Sequence, residues 1–247
     1  MINEFSKEIR IDGTMVDYKM HLKLSNLFLM CQEIAADHAD QMGIGRIELY
    51  SKNLFWAIAR AKLEIIDRPY IFDNITLTTS AGIPKKTLCP RYFIIKRNGV
   101  VIAKMSTIWM LVDLTSRKVT TPEAIGINMP EVEPGIKMDL PEKVMTKFDF
   151  ELAEIRKCRY SEVDLNGHMN NSRYLDWTYD LFDMQFHDRH ELKNIAVNYS
   201  IEIQPESKTK LLKYEDDNSF VVVGEGEDNK RHFLVSGEWK DVEVSER

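Results

Sequence analysis

Residues 160–174 read YSEVDLNGHMNNSRY and place an acid, a side-chain amide and an imidazole at Asp164, Asn166 and His168, just ahead of an apolar-periodic stretch. Alternate side chains of an extended segment share one side, so this spacing predicts that the three project together. Asn170 or Asn171 would cap the following helix, whose first N–H groups lack intrahelical partners and whose dipole favours negative charge. An oxyanion forming there would be stabilised, which is what attack on an acyl carbonyl requires. Taken alone, the triplet has a plainer use: Asp and Asn suit turns and caps, and His is often a hydrogen-bonded surface group.

Metal binding is the competing use of these residue types. No second His stands three or four positions from His168 and no Cys pair accompanies it, so no metal is expected. His187 and His190, three apart, read as a solvated helix end, and His38, between Asp37 and Asp40, reads as part of a polar helix face. The three cysteines, Cys31, Cys89 and Cys158, are odd in number and widely spaced, which fits packed, reduced thiols better than a disulfide framework.

The elements that must position these groups occur in the same order twice. In the first copy, strand-like residues 8–11 and 15–22 lead to a helix over 25–42, with Ser25 or Asn26 as its cap and Gly43 just past its end. Leu27, Met30, Cys31, Ile34 and Ala35 would form its buried stripe, with Leu27, Met30 and Ile34 also candidates for a pocket wall. Strand patterns follow at 54–66, 75–83, 91–96 and 100–114, the last two joined by Asn98 and Gly99, a strong hairpin signal. Residues 121–142, punctuated by Pro122, Pro130, Pro134 and Pro141, read as a connector, although Ile125, Ile127, Met129 and Val132 are more apolar than a solvated linker needs. The second copy has a strand at 148–158, a helix over 171–186, and strands at 193–203, 209–215, 219–227 and 232–242. This predicts an α+β fold in which each copy wraps an antiparallel sheet around a long central helix.

At 247 residues the chain has room for one or two units of about 100–150 residues. A hydrophobic fraction of 44% with 29% charged residues is ordinary for a globular protein and excludes disordered and collagen-like classes. The formal net charge of -6 argues against a surface devoted to nucleic acid or anionic lipid. Apolar runs fall short of a membrane span, and the first residues show neither a secretory nor a transit signal, so the expected location is cytoplasmic.

The run D-L-N-G-H-M-N-N-x-x-Y-L-x-W (164–177) resembles the signature of the acyl-acyl-carrier-protein thioesterases, known from plant plastids and bacteria. The likeness extends to ARAKLEIIDRPYIFDNITLTT and SxxWMLVDLTSRK in the first half. It implies two tandem hotdog domains, 1–122 and 147–247, joined by a connector at 123–146, with the first half shaping the acyl pocket and the second catalytic. It also implies a further acid in a Y-x-x-E context on the strand after the second helix, matched by Glu202 in Tyr199-Ser200-Ile201-Glu202. The resemblance thus assigns Asp164, Asn166, His168 and Glu202 to hydrolysis of fatty acyl thioesters in fatty acid biosynthesis. Glu202 or Asp164 would deprotonate a water, with a pKa raised by burial beside the acyl chain, and Asn166 would polarise the carbonyl. Plant members carry a Cys after that Glu where this chain has Ile203, so a covalent cysteine path is not expected.

The implied partner is an acyl carrier protein with its 4'-phosphopantetheine-linked chain, and no cofactor is implied. Lys85, Lys86 and Arg91, or Lys208, Lys210 and Lys213, are candidates to meet that acidic protein, and a homodimer is a possible assembly. Two other readings stay open: an acyl-CoA thioesterase on the same fold, and a non-catalytic acyl-binding module, against which the complete acid, amide and imidazole set counts.

Overall fold

The computed structural model describes residues 4–131, 134–135 and 138–242. The chain divides into two compact units, Met1–Pro141 and Glu142–Arg247.

In unit 1, β1 (Glu4–Arg10) is followed by α1 (Leu24–Gln41), α2 (Arg46–Ser51), β2 (Leu54–Ile65), β3 (Asn74–Ala81), β4 (Cys89–Arg97), β5 (Val100–Asp113) and the short β6 (Val119–Thr120). The strands pair antiparallel in the order β1-β3-β4-β5-β2, and β6 adds to β5. Asn98 and Gly99 both have positive φ, which is what a two-residue turn joining β4 to β5 demands. Leu27, Phe28, Cys31, Ile34 and Ala35 of α1 are buried, whereas Met30 sits at the margin of the stripe. Gly43 takes φ +70 just past α1, as its place there requires.

The expected cap of α1 is not formed. Lys23 occupies the N-cap without a side-chain bond, Ser25 is buried within the first turn, and Asn26 donates its amide to the Met15 carbonyl at 2.8 Å. The strand expected over 15–22 is replaced by turns. Asp17 Oδ1 accepts the N–H groups of Lys19 and His21, both at 3.0 Å, and one isolated bridge joins Val16 to Leu22. An Asp that bonds its own downstream backbone competes with a ladder and bends the chain. After β6 the connector makes a 3-10 turn at Glu123–Ile125, and Ile127 joins a core cluster with Ala39, Ile44, Leu49, Leu54 and Leu111. Val132 lies outside the described residues.

In unit 2, β7 (Glu151–Lys157), α3 (Arg173–Tyr179), α4 (Met184–Arg189), β8 (His190–Tyr199), β9 (Lys208–Asp216), β10 (Ser219–Gly226) and β11 (Arg231–Asp241) form an antiparallel sheet in the order β8-β11-β10-β9-β7, with α3 and α4 as its helices. The single long helix expected over 171–186 is broken. Asp183 Oδ1 accepts the Phe186 N–H at 2.7 Å and starts a new helix, while Phe182 turns inward against Phe220 and Trp239, with ring centroids 5.2 and 5.1 Å away. Burial of that aromatic cluster outweighs helix continuity. His187 and His190 are therefore not a solvated end: they bond to the Tyr179 and Phe186 carbonyls at 3.0 and 2.9 Å. Both units are α+β, but among the described residues only unit 1 has a long helix.

Candidate active site

The segment carrying Asp164, Asn166 and His168 is a tight hairpin, not the extended run that the spacing predicts. Val163 and Met169 form its base as an antiparallel bridge, Asp164 N–H donates to the His168 carbonyl at 2.8 Å, and Gly167 N–H donates to the Asp164 carbonyl at 3.0 Å. Gly167 adopts φ +82, a conformation glycine takes without steric cost. The Asp164 carboxylate accepts the Asn166 backbone N–H at 2.8 Å and its side-chain Nδ2 at 3.3 Å. Asp, Asn and Gly in succession are turn-forming residues, and this local chemistry overrides the period-two reading.

Glu202 lies beyond the strand on which the sequence placed it, because β8 ends at Tyr199. Past that end, Ser200 and Ile201 both donate their N–H groups to the His232 carbonyl, at 2.9 and 3.0 Å. The chain then turns so that the Ile203 carbonyl accepts the Met169 N–H at 2.9 Å. This staple sets the preceding residues side by side: His168 Nε2 is 3.4 Å from Glu202 Oε2. That distance is longer than a normal N–H···O bond of about 2.7–3.2 Å, and catalytic contacts without substrate are often loose. The two side chains are 25% and 38% exposed, so Glu202 lacks the burial expected of a carboxylate beside an acyl chain.

The hairpin thus carries one pair, Asp164 with Asn166, and brings His168 to Glu202 on the segment after β8. Tyr174, which the sequence reading missed, is buried on α3 against Tyr199 and Phe233. Its phenol is pushed above the ordinary tyrosine range, first by burial and further by the negative charges of Glu202 and Asp164. Glu162 was missed as well; it accepts the Trp177 indole N–H at 2.5 Å. A Glu before the D-x-N-x-H run and a Trp on the next helix were visible in sequence, but nothing there showed that they meet. The cap expected from Asn170 or Asn171 is not formed: Ser172 occupies the N-cap of α3 without a side-chain bond, and Asn170 Oδ1 accepts the Ser172 N–H at 2.9 Å in a turn ahead of the helix. With seven residues α3 is about two turns long, so the helix-dipole argument for an oxyanion loses its weight.

Other sequence candidates fall elsewhere. Arg91 is not a docking residue: it is 8% exposed, and its Nη1 donates to Thr79 Oγ1 at 3.1 Å and meets His38 Nδ1 at 3.0 Å. His38 is fully buried in that contact and not on a polar face. Lys85, Lys86 and Lys208 are exposed, Lys210 lies near Glu225 and Asn229, and Lys213 is paired with Glu215. Among the pocket-wall candidates, Met30 and Ile34 line an apolar groove of about 350 Å³ between β1 and α1, together with Ile9, Met15 and Leu29, whereas Leu27 is core. All three cysteines are buried, and burial raises the thiols of Cys89 and Cys158 to about 11. Among the described residues, no cluster of three or more His, Cys, Asp or Glu could hold a metal, and no helix is long and apolar enough to cross a membrane.

The fold is the one seen in solved thioesterases. An acyl-ACP thioesterase from Bacteroides thetaiotaomicron aligns with a TM-score of 0.83 at 20% identity, covering 96% of this chain and 98% of that one. The 12:0-ACP thioesterase from Umbellularia californica aligns with the same score at 18% identity, covering 97% and 98%. The N-terminal domain model of the acyl-ACP thioesterases matches residues 3–124 and the C-terminal domain model matches residues 147–240. The chain belongs to the acyl-ACP thioesterase family. A chloroplastic palmitoyl-acyl carrier protein thioesterase from Gossypium hirsutum is 24% identical over 250 residues, covering 93% of this chain. A chloroplastic oleoyl-acyl carrier protein thioesterase from Arabidopsis thaliana is 23% identical over 236 residues, covering 83% of it. The chain spans 60% and 64% of the lengths of these two plant proteins.

Proposed function

We propose that this protein hydrolyses fatty acyl-[acyl-carrier-protein] thioesters, releasing free fatty acid and holo-carrier protein. The observation that carries the reading is the His168–Glu202 contact on the hairpin that also holds Asp164 and Asn166, in a chain of this family. The plant relatives named for palmitoyl- and oleoyl-carrier substrates support the same substrate class.

Glu202, steadied by His168, takes a proton from water, and the resulting hydroxide attacks the thioester carbonyl. Asp164 is occupied in orienting Asn166, whose amide Nδ2–H donates to the developing oxyanion. Collapse of the tetrahedral intermediate breaks the C–S bond, and the proton held by the Glu202–His168 pair passes to the departing phosphopantetheine thiolate. No cofactor enters these steps.

In this reading the units are tandem hotdog domains, 1–122 and 147–247 with a connector at 123–146. The first shapes the acyl pocket, which the apolar groove beside Met30 and Ile34 supports, and the second is catalytic. The protein acts in the cytoplasm as a monomer or homodimer.

The test is the initial rate of thiol release from matched octanoyl to stearoyl carrier-protein and CoA thioesters, with Asn166→Ala as control. Carrier-preferred turnover that disappears in the variant is expected. No hydrolysis of any acyl-carrier protein would overturn the proposal, and a CoA preference would reassign the substrate to acyl-CoA.

A further inference from the structure

Around the hairpin, one residue outside the four proposed catalytic residues ties three separate points of the chain together. Glu162 Oε1 accepts the Trp177 indole N–H at 2.5 Å, and its Oε2 accepts the Arg159 backbone N–H at 2.8 Å. Its carbonyl accepts the Asn170 N–H, also at 2.8 Å. Glu162 and Asn170 are the residues that enter and leave the hairpin 163–169, so this acid closes the hairpin's neck and bolts the neck to α3. Trp177 is 1% exposed, one face of its ring lies 6.0 Å from the Arg156 guanidinium, and Arg156 is itself held by Asp180 and Glu154. The indole is therefore a fixed anchor. A carboxylate accepting a buried N–H makes a short, directional, charge-assisted bond. On the far side the hairpin is held by the Met169–Ile203 backbone bond.

Closing the neck alone would need only the backbone bonds. The bond to a side chain fifteen positions further on ties that neck to the body of α3. His168 and Asn166 are carried by the hairpin that the neck closes.

We infer that Glu162 is a positioning residue of the hydrolytic site, acting through Trp177 to fix the attitude of the hairpin. The inference rests on the thioesterase reading above. Glu162 touches no reacting atom. It acts by holding groups that must lie within a fraction of an ångström of their working places.

The test combines kinetics with amide hydrogen exchange on the intact protein, using Glu162→Ala, Glu162→Gln, Trp177→Phe and the Glu162→Ala/Trp177→Phe double variant. Glu162→Ala should lower kcat roughly 10- to 100-fold while KM stays within about twofold. Glu162→Gln, which keeps an acceptor for the indole, should recover most of the loss. The double variant should be no worse than the worse single variant, because both remove one bond. In Glu162→Ala, exchange at the Asp164 and Met169 amides should accelerate while that of Val222, in the middle of β10, stays unchanged.

Unchanged kcat in both Glu162→Ala and Trp177→Phe, strictly additive losses in the double variant, or unchanged exchange at Asp164 and Met169 would overturn the inference. If Glu162→Ala does not fold, Glu162→Gln and Trp177→Phe carry the comparison. A wild-type protein without hydrolytic activity would remove the thioesterase reading, and the exchange comparison would still decide whether Glu162 holds the hairpin.

Discussion

Met169 donates its backbone N–H to the Ile203 carbonyl at 2.9 Å, and through that bond the preceding residue of each, His168 and Glu202, comes to lie side by side. The two are thirty-four positions apart in sequence, one on a hairpin and the other just past the end of β8. Catalysis in the proposed scheme depends on this single backbone contact holding its register.

The four proposed catalytic residues should separate by role. Glu202→Gln and Asn166→Ala remove the water-activating acid and the oxyanion donor, and each should lower kcat about 100-fold or more. Asp164→Ala acts only by releasing Asn166, so it should cost less than Asn166→Ala and add little to it. Thiol-release kinetics, with circular dichroism to confirm folding, checks this. An Asp164→Ala loss far exceeding that of Asn166→Ala would make Asp164 the base.

Gly167→Ala probes the turn itself. An alanine Cβ would meet no atom within 4 Å, so the whole penalty comes from φ +82. A stability loss of about 1 kcal/mol in urea unfolding is expected, with a larger proportional fall in kcat as the hairpin shifts to relieve the strain. Unchanged kcat would show that the turn geometry does not matter to the site.

The Arg91–His38–Thr79 cluster predicts an asymmetry in unit 1. His38→Ala leaves a buried guanidinium short of an acceptor and should destabilise by about 2–3 kcal/mol. Arg91→Met removes the charge and keeps most of the volume, so it should cost less, because replacing a buried charge by an apolar side chain is often close to neutral. Denaturant midpoints of the two variants decide the order.

Cys89 and Cys158 should resist alkylation in the native protein at pH 8, since burial holds both thiols near 11. The same shift affects stability at high pH. The unfolded chain loses these protons from about pH 9 while the folded chain keeps them to about 11, so above pH 9 the unfolded state binds fewer protons. Stability from this source is fully present below pH 9 and declines through the interval to 11. Replacing both cysteines by alanine should flatten that decline in a pH series of melting temperatures.

Local chemistry determined much of this protein from the sequence alone. The apolar stripe of α1, the Asn98–Gly99 hairpin, the strand order along the chain and the D-x-N-x-H run with its following helix depend on contacts between near neighbours, so their patterns are written at short range. What failed was governed by partners far away. The second helix breaks because Phe182 and Phe186 pack on Trp239, more than fifty positions later, and Arg91 and His38 find each other only when β4 packs on α1. Asp164, Asn166 and His168 were legible as residue types, but their geometry was not: an Asp-anchored turn replaced the extended run, and only the staple to Ile203 brought Glu202 to His168. The sequence thus determined which groups are available. The tertiary structure decided which of them meet, because a contact across dozens of residues is set by burial and backbone pairing that no local spacing records.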